Sequence, residues 1–290
     1  MNVTVAGVRL AFLPPPGLHI VAPGFQYPPF LAATAGRRQV TVQVTRDGRA
    51  LPTAGDTLFD TGDGWRLRQC DGLRVLEMPD RRGGPALWRV AWRLPLREAV
   101  AWVGPAMVHG QAIRHLVQYP LDQILLCEAL REDGMLLLHA AGGDGPDGGF
   151  VFAGVSGAGK STISRQLEGV DRYRLLSDDR LVAGSPEGPP RIHGTPWSGD
   201  AGIARPASTM LSALCFLRQS AAPALRALAP RIALERLLPV ATLPWYHRDE
   251  VQAALARCEA LVTAVPCFEL AFNRDAGATG RVLEALRHAA

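Results

Sequence analysis

The stretch "GGFVFAGVSGAGKST", residues 148–162, decides how this chain is read. Phe150 to Ala153 is an apolar run that reads as a buried strand. The next residues fit the spacing G-x-x-x-x-G-K-[ST], as Gly154, Gly159, Lys160 and Ser161, with Thr162 following. "STISRQLEG" then carries helix formers and ends on Gly169 in the position of a helix cap. Strand, glycine-rich loop and helix in that order form the context a phosphate-binding loop requires.

The residue types follow from the chemistry. Glycines let successive backbone N–H groups of Gly154, Ser156, Gly157, Ala158 and Gly159 turn inward without Cβ clashes, and the N-terminus of the next helix adds the positive end of its dipole. Lys160 suits the β- and γ-phosphates of a nucleotide. The Ser161 hydroxyl suits Mg²⁺, which prefers hard oxygen donors. Lys160 is also the only lysine in the chain, every other cationic side chain of this type being arginine.

At 290 residues, with 48% hydrophobic and 20% charged side chains, the chain has the composition of a globular protein with one large core or two ordinary ones. "MNVTVAGVRLAFLPPPG" lacks a basic leader region and is interrupted by Pro14 to Pro16, so neither a signal peptide nor a membrane span is expected and cytoplasm is the default. Cys70, Cys127, Cys215, Cys258 and Cys267 are odd in number and contain no C-x-x-C pair, which predicts reduced core thiols and no metal site. A formal charge of +4 with dispersed arginines gives no nucleic-acid stripe.

Two parts are expected. Residues 1–110 show short alternating runs such as "RRQVTVQVT" and "LWRVAWRLPL" between Pro- and Gly-containing turns, a pattern of antiparallel strands. This β-rich domain would recognise substrate, with an edge for an extended peptide in "RRQVTVQVT", or pack the catalytic part or build a homo-oligomer interface. Residues 111–290 would form the α/β catalytic domain. Within it, "HLVQYPLDQILLCEALRED" has helical spacing stopped by Gly134, and "MLLLHAAGGDGPDGGFVFAG" reads as a hairpin leading into the loop. "LSALCFLRQ" and "VPCFELAF" read as strands; "APALRALAPRIALERLLP", "HRDEVQAALARCEALVTA" and "TGRVLEALRHAA" read as helices.

One further stretch carries chemistry. "YRLLSDDRLVAG" is a short apolar strand ending in Asp178 and Asp179, the place where a phosphate-loop fold puts an acid that holds Mg²⁺ or orients the nucleophile. The pair can divide the roles of metal ligand and proton acceptor, and the sequence leaves open which does which.

The succession "LLLHAAG", "GVSGAGKST", "LLSDDRLV" and "IHGTPWSGD" resembles the catalytic domain of the HPr kinase/phosphorylase superfamily. Within it, the chain looks closest to the HPr-kinase-like proteins of peptide natural-product clusters, some of which phosphorylate a serine of a lasso-peptide precursor. The resemblance spans about residues 115–275. It implies a P-loop kinase fold, nucleotide triphosphate on Gly154 to Thr162, acid/base catalysis and metal ligation from Asp178 and Asp179, and His139 near the transferred phosphate. "HGTPWSGDAGIARP" departs from the HPr enzymes, which puts HPr as substrate and the phosphorylase back-reaction in question. In that segment Trp197 offers a flat apolar surface for substrate, Asp200 could replace an acidic ligand, and Arg205 is the expected cation for the transferring phosphoryl oxygens.

The expectation is therefore an ATP- and Mg²⁺-dependent kinase acting on a hydroxyl, serine of a peptide or protein foremost, with no nucleic-acid or membrane partner. A kinase for a small hydroxyl metabolite and a non-catalytic, nucleotide-gated peptide-binding module are the rivals. No N-K-x-D or L-S-G-G-Q signature is present, which weighs against GTPase and transporter readings.

Overall fold

The computed structural model describes residues 1–31, 36–62, 64–170, 172–246 and 248–275. It is a mixed α/β protein that divides into two compact units, Met1–Glu132 and Asp133–Ala290. The sequence boundary stood near residue 110; the helix after it groups with the first unit.

The first unit is built on strands β1 (Asn2–Val5), β2 (Val8–Leu13), β3 (His19–Ile20), β4 (Arg38–Thr45), β5 (Asp56–Asp60), β6 (Arg66–Cys70), β7 (Leu73–Met78), β8 (Trp88–Trp92), β9 (Glu98–Val103), β10 (Val108–His109) and β11 (Ala112–Ile113), followed by helix α1 (Leu121–Glu132). Eight of them form one sheet in the order β1-β2-β4-β9-β8-β7-β6-β5, and β10-β11-β3 form a small second sheet. From β5 to β9 each strand pairs antiparallel with the next, as alternation and short turns predict. "RRQVTVQVT" is the exception: β4 runs parallel to both β2 and β9. With both sides paired it offers no edge, and the expectation of peptide capture there is corrected; β1 and β5 are the outer strands of this sheet. Helix α1 turns its buried face, Leu121, Leu125, Leu126 and Ala129, inward. Two buried polar pairs accompany it: Asp122, 1% exposed, accepts from the Tyr27 hydroxyl, and Glu128 meets the Arg74 guanidinium, each of these two 3% exposed. Gly134, at φ +68°, lies just past the end of the helix.

The second unit comprises β12 (Leu136–Gly145), β13 (Gly148–Ala153), α2 (Lys160–Glu168), β14 (Arg174–Ser177), β15 (Arg180–Gly184), β16 (Arg191–Gly194), β17 (Ser208–Gln219), β18 (Ala224–Ala227), α3 (Pro230–Leu237), α4 (Arg248–Ala264) and β19 (Cys267–Phe272). The expected hairpin is β12–β13. The "ALRA" segment, read from the sequence as helix, is strand β18 on the edge of β19; only the part after Pro230 is helical. The last expected helix, "TGRVLEALRHAA", lies outside the described residues.

Pairing runs β12–β15–β16–β17–β13 and returns to β12. β13, β17 and β19 are parallel, so the ends of β13, β17 and β19 share one edge. β14 and β15 act as one strand interrupted at two residues: Ser177 opposes Gly142 and Arg180 opposes His139, three steps on each side. Alternation divides the core. Phe150 and Phe152 of β13 pack with Ile163 and Leu167 of α2, while Val151 and Ala153 pack on the other face with Leu237, Ala254 and Leu261 of the α3–α4 layer. Of the five cysteines, Cys215, Cys258 and Cys267 are buried, and burial pushes Cys215 up to about 12; Cys70 and Cys127 are only half-buried, short of the core position expected.

Candidate functional site

The loop Gly154–Gly159 joins the end of β13 to α2, which gives the strand–loop–helix order read from the sequence. Two glycines are required by conformation: Gly157 lies at φ +80° and Gly159 at φ +105°. A Cβ on Gly159 would also stand 2.4 Å from Cζ of Phe272. The Gly157–Ala158 peptide is held at both ends: its carbonyl accepts from Gln219 Nε2 at 2.9 Å and its N–H donates to the Val155 carbonyl at 3.1 Å. The Ile163 N–H bonds the Gly159 carbonyl, so the earlier N–H groups of Lys160, Ser161 and Thr162 stand at the start of the helix without an acceptor inside it. The Lys160 ammonium bonds the carbonyls of Gly154 at 2.8 Å and Val155 at 3.4 Å. Burial lowers its pKa, the Asp179 charge opposes that shift, and the Arg180 charge adds to it.

Sheet register assembles the rest. Ala140 opposes Ala153, the last residue of β13, and on the other side of β12 His139 opposes Arg180. His139 and Arg180 are therefore cross-strand neighbours, one residue from the Ala140–Ala153 pair at which β13 gives way to the glycine loop. Asp179, in the two-residue interruption, accepts from His139 Nε2 at 2.9 Å and from Arg180 Nε at 3.3 Å. Burial alone would raise its pKa. The hydrogen bond and charge of His139, with the charges of Arg180 and Lys160, outweigh burial and hold the carboxyl below its ordinary value.

Asp178 turns the other way. It is 1% exposed, and its two oxygens accept three backbone N–H groups, from Gly199 at 2.9 Å, Ala201 at 2.7 Å and Ile203 at 3.2 Å. Its carboxylate is taken up in holding the 199–203 loop, which leaves Asp179 as the more accessible acid of the pair. Trp197, half-buried, and Asp200, exposed, belong to the loop that Asp178 anchors. Gly199 backs directly on the acid pair: a Cβ there would lie 3.0 Å from Asp178 Oδ2 and 3.2 Å from Asp179 Cβ.

Arg205 does not join the site. Its guanidinium bonds Glu168 and the Leu175 carbonyl. Glu168 ends α2, eight residues and about 12 Å of helix from Lys160. The residues that sequence reasoning missed are Arg180 and Gln219. Both carry a signal in hindsight: Arg180 follows the acid pair on the strand that opposes "LLLHAAG", and Gln219 ends an apolar strand parallel to β13.

Asp179, His139 and Arg180 thus form one bonded cluster, and Lys160 stands where the glycine loop opens helix α2, groups able to attract an anion and to hold a hydroxyl against a carboxylate. Among the described residues no group of three His, Cys, Asp or Glu side chains converges as a metal cage, and no helix is long and apolar enough to cross a membrane. Compared with protein-family models and with curated proteins, the chain matches no family model and no protein.

Proposed function

We propose that this chain is a Mg-ATP-dependent kinase that transfers the γ-phosphoryl group to a hydroxyl, serine of a peptide or protein foremost. The observation that carries the reading is the Asp179 carboxylate, held below its ordinary pKa and bonded by His139 and Arg180, in a unit whose glycine loop sets Lys160 at the start of α2.

In this reading the loop amides and the start of α2 hold the phosphates, and Lys160 exchanges its carbonyl bonds for phosphate oxygens. Ser161 Oγ and the Asp179 carboxylate are the hard oxygen donors that would hold Mg²⁺ together with substrate phosphates. Bound there, Mg²⁺ supplies charge neutralisation on the phosphates. Asp179 orients the acceptor hydroxyl. Its depressed pKa makes it a weak base, which suffices where bond making is late and the proton is lost after the attacking oxygen has engaged phosphorus. His139 fixes the carboxylate by donating to it. Asp178 keeps the Trp197–Asp200 loop against the acid pair, so that this loop forms a wall of the acceptor site.

The test is calorimetry with Mg-ATP on the wild type, Lys160→Ala and Asp179→Asn, with mass spectrometry of a serine-containing peptide library. Lys160→Ala should lose ATP affinity. Asp179→Asn should keep it and transfer phosphate at least about 100-fold more slowly. Equal ATP affinity in wild type and Lys160→Ala would refute the reading. ATP binding with no acceptor modified, and peptide affinity surviving Asp179→Asn, would turn it into the nucleotide-gated binding module.

A further inference from the structure

We propose that Arg180 is the catalytic cation that contacts the transferring phosphoryl group, an assignment that rests on the kinase reading above. Arg205 is tied up at the far end of α2, yet the charge that develops on the equatorial phosphoryl oxygens needs a cation beyond Lys160 if it is to be met from this chain. Arg180 is that cation by position. It opposes His139 on the ladder between β12 and β15 and bonds the same Asp179 carboxylate that His139 bonds.

Its backbone is fixed on every side. The N–H of Arg180 donates to Ser177 Oγ at 3.2 Å, and its carbonyl accepts from the fully buried Thr195 hydroxyl at 2.7 Å. The neighbouring Leu181 pairs with Gly194. The side chain, by contrast, is committed among the described residues through Nε alone, at 3.3 Å from Asp179 Oδ2, and is 29% exposed. The terminal nitrogens of the guanidinium are thus left to an incoming anion, and the planar fork matches two oxygens of one phosphoryl group. Arginine therefore has two tasks on one side chain: Nε steadies the carboxylate and the Nη groups receive the phosphoryl oxygens.

In the step itself the acceptor oxygen forms a bond to the γ-phosphorus while the bond from that phosphorus to the β–γ bridging oxygen breaks. ADP leaves with the electron pair, and the hydroxyl proton passes to Asp179. Arg180 donates to equatorial oxygens that carry charge in both states, but its contacts strengthen as the group flattens between donor and acceptor.

The experiment compares affinity for Mg-ATP with affinity for Mg-ADP-aluminium fluoride, a planar mimic of the group in transfer, in wild type, Lys160→Ala, Arg180→Gln and Arg180→Lys. Arg180→Gln should bind the mimic about 100- to 1,000-fold more weakly while its Mg-ATP affinity stays within about threefold. Arg180→Lys, which keeps a cation beside Asp179 but lacks the fork, should recover little of the loss. Equal loss for both ligands, full recovery by lysine, or undiminished affinity for the mimic would each overturn the assignment, the first two by reducing Arg180 to a tether for Asp179. Should Arg180→Gln fail to fold, Arg180→Lys alone decides, since full affinity for the mimic in that variant is the overturning result. Wild type that does not bind Mg-ATP through Lys160 would sink the kinase reading itself, an outcome separate from any of these.

Discussion

Replacing Asp178 by asparagine changes one atom of a side chain that is 1% exposed, and the hydrogen bonds around it predict a large effect. Oδ1 receives the N–H groups of Gly199 and Ile203, and Oδ2 receives that of Ala201 at 2.7 Å. In Asp178→Asn the amide oxygen can keep the first two bonds, but the NH2 group then faces the Ala201 N–H, donor against donor. Turning the amide over loses two bonds where one was lost before. Loss of a bond to a charged acceptor costs about 1.5–3 kcal/mol and a stranded buried donor a further ~1–3 kcal/mol, so local opening of the 199–203 loop should become about 3–5 kcal/mol easier. Native-state hydrogen exchange reads this directly: the Gly199, Ala201 and Ile203 amides should exchange about 100- to 1,000-fold faster or more, while amides of β13 stay protected. Asp179→Asn, at a half-exposed position that accepts only from side chains, should leave the same three amides as they were. Unchanged protection of the loop in Asp178→Asn would refute the argument that this carboxylate is an anchor, and would return it to the candidates for chemistry.

Two other outcomes follow from the same geometry. Gly159→Ala places a side chain at φ +105° and a carbon 2.4 Å from the buried Phe272 ring, which adds backbone strain to overpacking; about 2–4 kcal/mol of destabilisation and a fall of roughly 5–15 °C in the melting temperature are expected, and an unchanged melting curve would contradict them. The depressed pKa of Asp179 gives a stability contribution that is present above the unfolded carboxyl value near 3.8 and is lost as pH falls through the lower folded value; urea titrations from pH 7 to pH 3 should show that acid loss in wild type and a flatter limb in Asp179→Asn, and coincident limbs would exclude it.

The loop, the hairpin before it and the helix after it were legible because each is specified within a few residues: glycines at positive φ, a Gly- and Asp-containing turn, a change of period from two to 3.6. What escaped depends on neighbours distant in sequence. The "VTVQV" alternation announces a strand but not that β2 and β9 take both of its sides in parallel, since parallel partners are brought together by long connections. "ALRA" has helix-forming residues, and the open edge of β19 overrides that preference. Asp178 and Asp179 are equivalent on paper. They differ because a loop twenty residues onward presents three amides to the first and because His139, on another strand, donates to the second. The exchange of Arg205 for Arg180 has the same origin, for Glu168 captures one and the ladder with β12 delivers the other.

The pairing of His139 with Arg180 is made by the main chain, not by the side chains that stand on it. Positions defined in that way behave as sockets. A different residue plugged into 139 or 180 inherits the same coordinates relative to the glycine loop, with the exposed ends of these side chains leaving the hydrophobic layers untouched. The second unit can accordingly be treated as a mounting for alternative chemistries. Pairs of residues at 139 and 180 could be varied together in a library and screened for new acceptors, with folding carried by β12, β13 and β15 throughout.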